Sequence, residues 1–420
     1  MSVAGASAVY RAPAARGSFW LEPPVIAVLG ALTFNFVLCF VNTNAFSVGN
    51  TSVIVCEIAI ISAVLFYSYR ALNYSQFLVI GAAILYLVTL AALRALLGHG
   101  LDVKPVRDFL IPIAFFILGA GFGDLKMADR IVLVASLIVL GVGLVEYSMP
   151  ELFTRFFNVA GYYIERGTMD AAQAQQSSNL FLSGMRPDGA GGGRNLLPFL
   201  GSHRVSSVFL EPVSAGNFGV IVFGWALARS LAERRGYWLL FAVALTIVVL
   251  ADSRYGAYFC IISLPLVLCP ASLRFAATAV LPVFGIATVM LVPDMLPSHY
   301  GVTNGFIGRI IMANGILDGF DTAAWFGLSS PGFTADSGYA YALAGAGIVG
   351  VAGFWLMFLA VRGHGSRFAL FRDLTGAYIA LLLCISNSPF TIKTGALLWF
   401  LMGTLSRPDP MVLRPRAVMR

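Results

Sequence analysis

Three short polar stretches interrupt an otherwise apolar sequence, and each holds residues that could do chemistry. They span residues 203–212, 252–256 and 335–339. Arg204 and Arg254 carry permanently charged, planar guanidinium groups that can bind a phosphate or pyrophosphate with two parallel hydrogen bonds. Glu211 and Asp336 carry carboxylates that can accept a proton from a hydroxyl group. The residue types predict a site for an anionic phosphate ligand beside a proton acceptor, whereas arginines at helix ends can also simply anchor a protein to lipid headgroups.

The segments between these stretches must position them, and they have the composition of a membrane protein. Of 420 residues, 59% are apolar and 11% are charged. Long apolar segments of about the 20 residues needed to span a bilayer recur along the chain. They predict an all-α polytopic integral membrane protein with helices at 24–43, 48–67, 76–97, 109–123, 129–147, 209–232, 237–251, 255–270, 273–293, 337–361, 374–387 and 391–406.

Two long polar loops, at about 148–208 and 294–336, separate these helices within one membrane domain spanning 1–420. With twelve spans and a cytoplasmic N-terminus, 16 of the 27 Lys and Arg residues fall on the cytoplasmic side and 11 on the other. Basic residues concentrate in cytoplasmic loops. The bias predicts that both termini are cytoplasmic, that both long loops face outward, and that the three polar stretches share the outer interface. The first apolar segment is long enough to span, so no cleavable signal peptide is predicted.

Composition argues against other classes of function. The five cysteines lie apart in apolar segments, and the four histidines have no ligand spacing, so neither a disulfide framework nor a metal site is predicted. The net charge of +7 is attributed to cytoplasmic loops rather than to nucleic-acid binding.

Two features inside the apolar segments also bear on function. Glu57 lies near the middle of the second predicted helix and suits either a proton-coupled transport site or a structural ion pair, with Arg94 as a candidate partner. Residues 345–350 match the pattern of a dinucleotide-binding loop but lie within an apolar helix. Gly347, Gly350 and Gly353 are therefore predicted to let two membrane helices approach closely.

The order of the three polar stretches resembles a known family, the O-antigen ligases and Wzy-type polysaccharide polymerases. The run from Arg204 to Pro212 resembles the family's loop arginine followed by small, aromatic and proline residues. Residues 253–256, Ser-Arg-Tyr-Gly, resemble its Ser-Arg-x-Gly turn. Asp336, Ser337 and Tyr339, followed by residues 347–350, resemble its last return to the membrane.

The resemblance implies a fold like that of the GT-C membrane glycosyltransferases, with the two outer loops covering the active site. It implies a metal-independent polymerase without a cofactor, in the bacterial inner membrane, acting on oligosaccharides linked to undecaprenyl pyrophosphate. The product would be an exopolysaccharide or O-antigen, and the xanthan-type branch is one option. Chain-length regulators and export proteins would be partners beside the bilayer.

The resemblance also implies roles for individual residues. Arg204 and Arg254 would stabilise the leaving pyrophosphate, and Asp336 or, second, Glu211 would be the general base. The remaining predicted substrate contacts are Arg309, Tyr339, His203, Arg194 and Tyr255.

Two other functions stay open at this point. An O-antigen ligase would attach glycan to a lipid A core, but ligases typically carry histidine where this chain has Asp336, which favours the polymerase. A flippase or transporter of lipid-linked sugars would line its path with charges from several helices, whereas Glu57 is the main charge predicted at mid-membrane.

Overall fold

A computed structural model describes residues 18–170, 179–180, 184–185, 196–201, 203–296, 305–329, 334, 337–363 and 365–407, with the Pro198 side chain left out. Within these ranges the chain folds into helices and forms no named strand. The all-α prediction is confirmed. The longer helices are α1 (Pro23–Asn44), α2 (Asn50–Ser68), α3 (Tyr74–Leu96), α4 (Lys104–Phe122), α5 (Leu125–Ser148), α8 (Pro212–Glu233), α9 (Trp238–Leu250), α10 (Arg254–Leu268), α11 (Ala271–Met295), α12 (Phe306–Asp318), α14 (Gly338–Ala360), α15 (Gly365–Leu382) and α16 (Ile392–Ser406).

The two predicted polar loops contain helices of their own. The first includes the short helices α6 (Pro150–Phe156) and α7 (Val159–Glu165), and the second includes α12 and the single turn α13 (Thr322–Trp325). Both polar loops are thus partly helical.

Eight of the described helices are long and apolar enough to cross a membrane, by length and composition, namely α1 to α5, α8, α11 and α14. Helices α9, α10 and α16 are apolar but shorter. Helix α15 begins nine residues before the predicted start at 374 and ends at Leu382, five residues before the predicted end. A multi-pass membrane protein is therefore confirmed, and the count of twelve spans stays a prediction.

Helices α4 and α16 pack with their backbones in contact. A Cβ atom on Gly119 would collide with the Phe400 carbonyl oxygen, and one on Gly403 would collide with the Phe116 carbonyl oxygen. Residues this small let two helices approach so closely. Gly395 faces Ile111 near one end of the pair, and Arg407 donates to the Gly123 carbonyl at the other. The two helices therefore run in the same direction, and the polar residues at their N-terminal ends lie at one level.

The bundle has two chemically distinct ends. Glu211 precedes α8 and Arg229 lies near its C-terminus, in a helix of about 33 Å. We call the end at Glu211 the site end. At the opposite end Arg229 pairs with Asp129 at 2.7 Å, and Arg274 pairs with Asp373 at 2.8 Å.

Helix α14 is broken in the middle, at the first of the three glycines predicted to let two membrane helices approach closely. Gly347 adopts φ +65° and ψ 167°, and a Cβ there would lie 2.5 Å from the Phe326 carbonyl oxygen. Gly350 does lie close to a neighbour, the Tyr86 ring of α3, but Gly353 faces open space. The predicted close approach of two helices therefore holds at Gly350, whereas Gly347 marks a helix break that receives the second loop.

Candidate functional site at one end of the bundle

The segment carrying Arg204 crosses the end of helix α9. The Val205 N–H donates to the Leu250 carbonyl at 3.0 Å, and the Arg204 N–H donates to the Gly184 carbonyl at 2.8 Å. The Arg204 Nε–H donates to the Ala251 carbonyl at 3.0 Å. This last bond fixes the plane of the guanidinium against the C-terminus of α9.

Glu146, in the last turn of α5, holds the same segment. Its side chain is fully buried, and its carboxylate accepts the Ser206 N–H at 3.0 Å and the Ser207 N–H at 2.6 Å. The Ser207 hydroxyl donates to the Val139 carbonyl at 2.6 Å. Ser207 and Leu210 both have positive φ, at 51° and 61°, a conformation that costs non-glycine residues energy. These bonds offset that cost and fix the path towards Glu211.

Glu211 ends this segment and makes three polar contacts. Its Oε1 accepts the Tyr163 hydroxyl at 2.6 Å and the Lys393 ammonium at 3.2 Å, and its Oε2 accepts the Ser214 hydroxyl at 3.2 Å. Lys393 also donates to the Phe209 carbonyl at 3.1 Å. The Glu211 side chain remains 30% exposed.

The electrostatics of Glu211 favour the ionised carboxylate. Enclosure among its neighbours acts to raise its pKa, but the charge of Lys393 and the hydrogen bonds from Tyr163 and Lys393 outweigh this, and the pKa is lowered. Burial and the adjacent Glu211 charge raise the Tyr163 pKa well above its ordinary value, so that hydroxyl keeps its proton. Glu211 is thus in the form that can accept a proton.

An interior ion cluster lies deeper at the site end. Glu57 pairs with Arg107, whose guanidinium also pairs with Asp108 at 2.7 Å. Asp108 further accepts the Lys104 ammonium at 3.1 Å and the Tyr341 hydroxyl at 2.5 Å. Glu57 is the eighth residue of α2, about 10 Å from the start of that helix. Helices α2, α4 and α14 therefore supply a connected polar network to the apolar interior.

The candidate pairing of Glu57 with Arg94 is wrong. Arg94 is buried and its Nη2 donates to the Gly345 carbonyl at 2.7 Å, next to the break in α14, while the Tyr86 hydroxyl donates to the Ala346 carbonyl at 2.7 Å. Backbone carbonyls released by a helix break need such donors, because lipid offers none. Glu57 pairs instead with Arg107.

The turn that contains Arg254 is built as a helix start. The Ser253 hydroxyl oxygen accepts the Gly256 N–H at 3.1 Å and caps α10, so Arg254 is the first helical residue. Asp252 accepts the backbone N–H groups of residues 196 and 197 at 3.0 and 3.1 Å, which ties the first loop to this turn. Because Arg204 bonds the Ala251 carbonyl, three residues before Arg254 in the chain, both arginines belong to the turn between α9 and α10.

Two of the predicted substrate contacts hold helices together. Tyr339 is 1% exposed, and its hydroxyl donates to the Ala380 carbonyl at 2.8 Å, between α14 and α15. The Tyr255 hydroxyl donates to the Tyr378 carbonyl at 2.7 Å. In this arrangement Tyr339 has almost no exposed surface to offer a sugar, and its substrate contact stays a prediction.

Of the other predicted residues, the structure describes His203 and Arg309. His203 is 7% exposed, with its Nε2 atom 3.9 Å from a Glu146 oxygen, so it faces the buried carboxylate that anchors the loop. The Arg309 Nη1 donates to the Ile385 carbonyl at 3.4 Å, at the same end of the bundle. Asp336 and Arg194 lie outside the described residues.

Sequence reasoning missed the residues that organise the site. Glu146, Lys393 and Arg107 each look like an isolated charge in or beside an apolar helix. The signal that could have found them is the free-energy cost of placing an ionisable side chain in the membrane, because such residues are rare without a partner. Glu57, Arg107 and Lys393 belong to a small set of such charges, so pairing the members of that set with each other was the natural hypothesis.

Comparison of the chain with protein-family models, curated proteins and solved structures returned no match. The function must therefore be inferred from the geometry of the site itself.

Proposed function

We propose that the protein is a membrane glycosyltransferase that polymerises lipid-linked oligosaccharide repeats. It would transfer a glycan from undecaprenyl pyrophosphate to a sugar hydroxyl of the next lipid-linked repeat, at the outer face of the bacterial inner membrane. The observation that supports this proposal is that Arg204 contacts the turn that carries Arg254, while the loop held by Glu146 continues from Arg204 to an ionised, partly exposed Glu211.

The proposed reaction needs only these groups from the chain. The acceptor hydroxyl oxygen forms a bond to the anomeric carbon of the donor glycan as the bond from that carbon to the pyrophosphate oxygen breaks. Glu211 takes the hydroxyl proton, and the pyrophosphate leaves with the electron pair. Arg204 and Arg254 stabilise the negative charge that develops on the leaving group. Asp336 remains the alternative base.

The glycan profile of a deletion strain tests this proposal directly. A polymerase is expected to leave single repeats linked to undecaprenyl pyrophosphate, because each repeat is made but not extended. Complementation with the intact gene should restore long chains. Long, unattached chains in the deletion strain would instead identify a ligase.

A transporter of lipid-linked sugars is the second candidate, and the interior ion cluster favours it. The sequence suggested Glu57 as the main charge at membrane depth, yet Arg107 of α4 pairs both with it and with Asp108, its neighbour in the same helix. Charges from several helices are typical of transport pathways. In a deletion strain a missing transporter would leave single repeats on the cytoplasmic face, inaccessible to a glycosidase added to spheroplasts, whereas a missing polymerase would leave them accessible.

The orientation is a separate prediction. Reporter fusions after Gly193 and after Arg372 are expected to report opposite compartments, the first outside and the second in the cytoplasm, because basic residues dominate the end that holds Arg229 and Arg274. A pair of fusions reporting the same compartment would contradict this orientation and the outer placement of the site.

A further inference from the structure

Arg166 occupies a defined position at the end of helix α7. Gly167 follows it with φ +68°, and its N–H donates to the Ile164 carbonyl at 2.8 Å. The Thr168 N–H donates to the Tyr163 carbonyl at 3.0 Å. These two bonds form the common glycine-terminated helix end, which reverses the chain. The backbone of Arg166 is therefore fixed by the helix terminus.

Two tyrosines fix its side chain. The guanidinium carbon lies 5.3 Å from the ring centroids of both Tyr162 and Tyr163, within the range of cation–π attraction. Both rings are buried, and both are anchored by their hydroxyls, to Asn35 at 2.7 Å and to Glu211 at 2.6 Å. The guanidinium thus rests on a rigid aromatic surface that leads directly to the proposed base.

Arg166 differs in charge pairing from three other cations of the site end. Those three each have a carboxylate, in the pairs Lys104–Asp108, Arg107–Glu57 and Lys393–Glu211. Among the residues that the structure describes, no carboxylate pairs with Arg166, and its buried Nε–H has no acceptor. A buried donor without an acceptor has lost its bond to water without replacing it. The Arg166 charge helps to lower the pKa of Glu211, but without an ion pair in the described part of the chain and with one unpartnered N–H the guanidinium can still take an anion.

We infer that Arg166 forms a second anion site, which binds a phosphate group of a lipid-linked diphosphate. A guanidinium held against two rings presents its N–H groups in the planar geometry that phosphate oxygens accept. Tyr163 joins this site to Glu211, so an anchored substrate would carry its sugar towards the carboxylate. Resting on the proposed function, we assign this site to the acceptor repeat and the turn of Arg204 and Arg254 to the donor.

Binding stoichiometry tests the site without any need for catalysis. We expect the purified full-length protein in neutral detergent to bind two equivalents of farnesyl diphosphate. Arg166→Gln should bind one, and Arg166→Lys should weaken one of the two sites about tenfold or more because the planar fork is lost. Arg155→Gln is the matched control, since it removes an exposed arginine from the neighbouring helix α6 and should still bind two.

The outcomes separate the possible ligands and the two proposals. If Arg166→Gln still binds two equivalents, the second site is overturned. If that variant fails to fold, Arg166→Lys decides, and two sites of unchanged affinity in it would overturn the second site as well. Competition by phosphatidylglycerol micelles as effective as that by farnesyl diphosphate would assign the site to ordinary lipid headgroups and overturn the diphosphate assignment. If Arg166→Gln binds one equivalent less, but deletion of the gene leaves polymer length unchanged, the anion site stands and the polymerase function is rejected.

Discussion

Glu211→Gln is expected to abolish polymer while the variant still binds the lipid-linked donor. Glutamine keeps the size of the side chain and an oxygen that can accept from Tyr163 or Lys393, so the loop should keep its path. An amide cannot take the proton of the acceptor hydroxyl, and general bases typically contribute factors of about 100 to 10,000 in rate. Polymer synthesis by purified protein in vesicles measures the loss, and donor retention is measured on the same samples.

Lys393 provides the matched test of that role. The Glu211 pKa lies below its ordinary value because the charge and hydrogen bonds around it, with Lys393 first among them, outweigh the effect of enclosure, so activity should fall only in acid, as the carboxylate gains its proton. Lys393→Met removes the positive charge, and the Glu211 pKa must then rise. The acidic limb of the pH–activity profile should move to higher pH. Near-normal polymer from Glu211→Gln, or an unmoved limb in Lys393→Met, would pass the base role to Asp336.

Arg204→Lys and Arg254→Lys are each expected to lose most polymer at unchanged protein level. Arg204 uses its Nε–H to bond the Ala251 carbonyl, which holds its two terminal nitrogens in a fixed plane. Lysine retains the charge but has a single nitrogen, so it cannot bond the Ala251 carbonyl and at the same time present a planar pair of N–H groups to the pyrophosphate. Removing one preorganised donor from a site of developing charge costs about 100-fold to 1,000-fold in rate. Polymer synthesis in vesicles, normalised to protein, measures the effect.

Arg155 provides the control for the two arginine variants. Arg155→Lys on α6 makes the same chemical change on an exposed residue near the site end and should leave polymer unchanged. Normal polymerisation by both Arg204→Lys and Arg254→Lys would mean that these arginines only anchor helix ends at the membrane surface.

The anchoring by Glu146 explains how a loop can place functional groups with precision. A fully buried carboxylate accepting two adjacent backbone N–H groups replaces the water that the loop backbone would otherwise need. Residues 206 and 207 lie between Arg204 and Glu211 in the chain, so this anchor helps to position both side chains. The positive φ values at Ser207 and Leu210 show that the path is imposed by these bonds rather than preferred by the residues.

The sequence by itself determined the helical membrane architecture and the stretches that carry the polar groups. Apolar segments of spanning length can satisfy their backbone only as helices in lipid, so periodicity and composition suffice for α1 to α5. The Ser-x-x-Gly run at 253–256 is where the structure has the cap of α10, and the predicted joint action of Arg204 and Arg254 stays a prediction.

Only the tertiary structure decided which charges meet and which residues stay exposed. Sequence spacing ranks neighbours along one helix, but Glu57 meets Arg107 and Glu211 meets Lys393 across elements, at separations of 50 and 182 residues along the chain. The close backbone contact of α4 with α16 brings Arg107 and Lys393 to about the same level of the bundle. Tyr339 illustrates the converse, since the structure buries it between α14 and α15, where its hydroxyl bonds the Ala380 carbonyl. Packing is a property of several segments at once, and no single segment of sequence contains it.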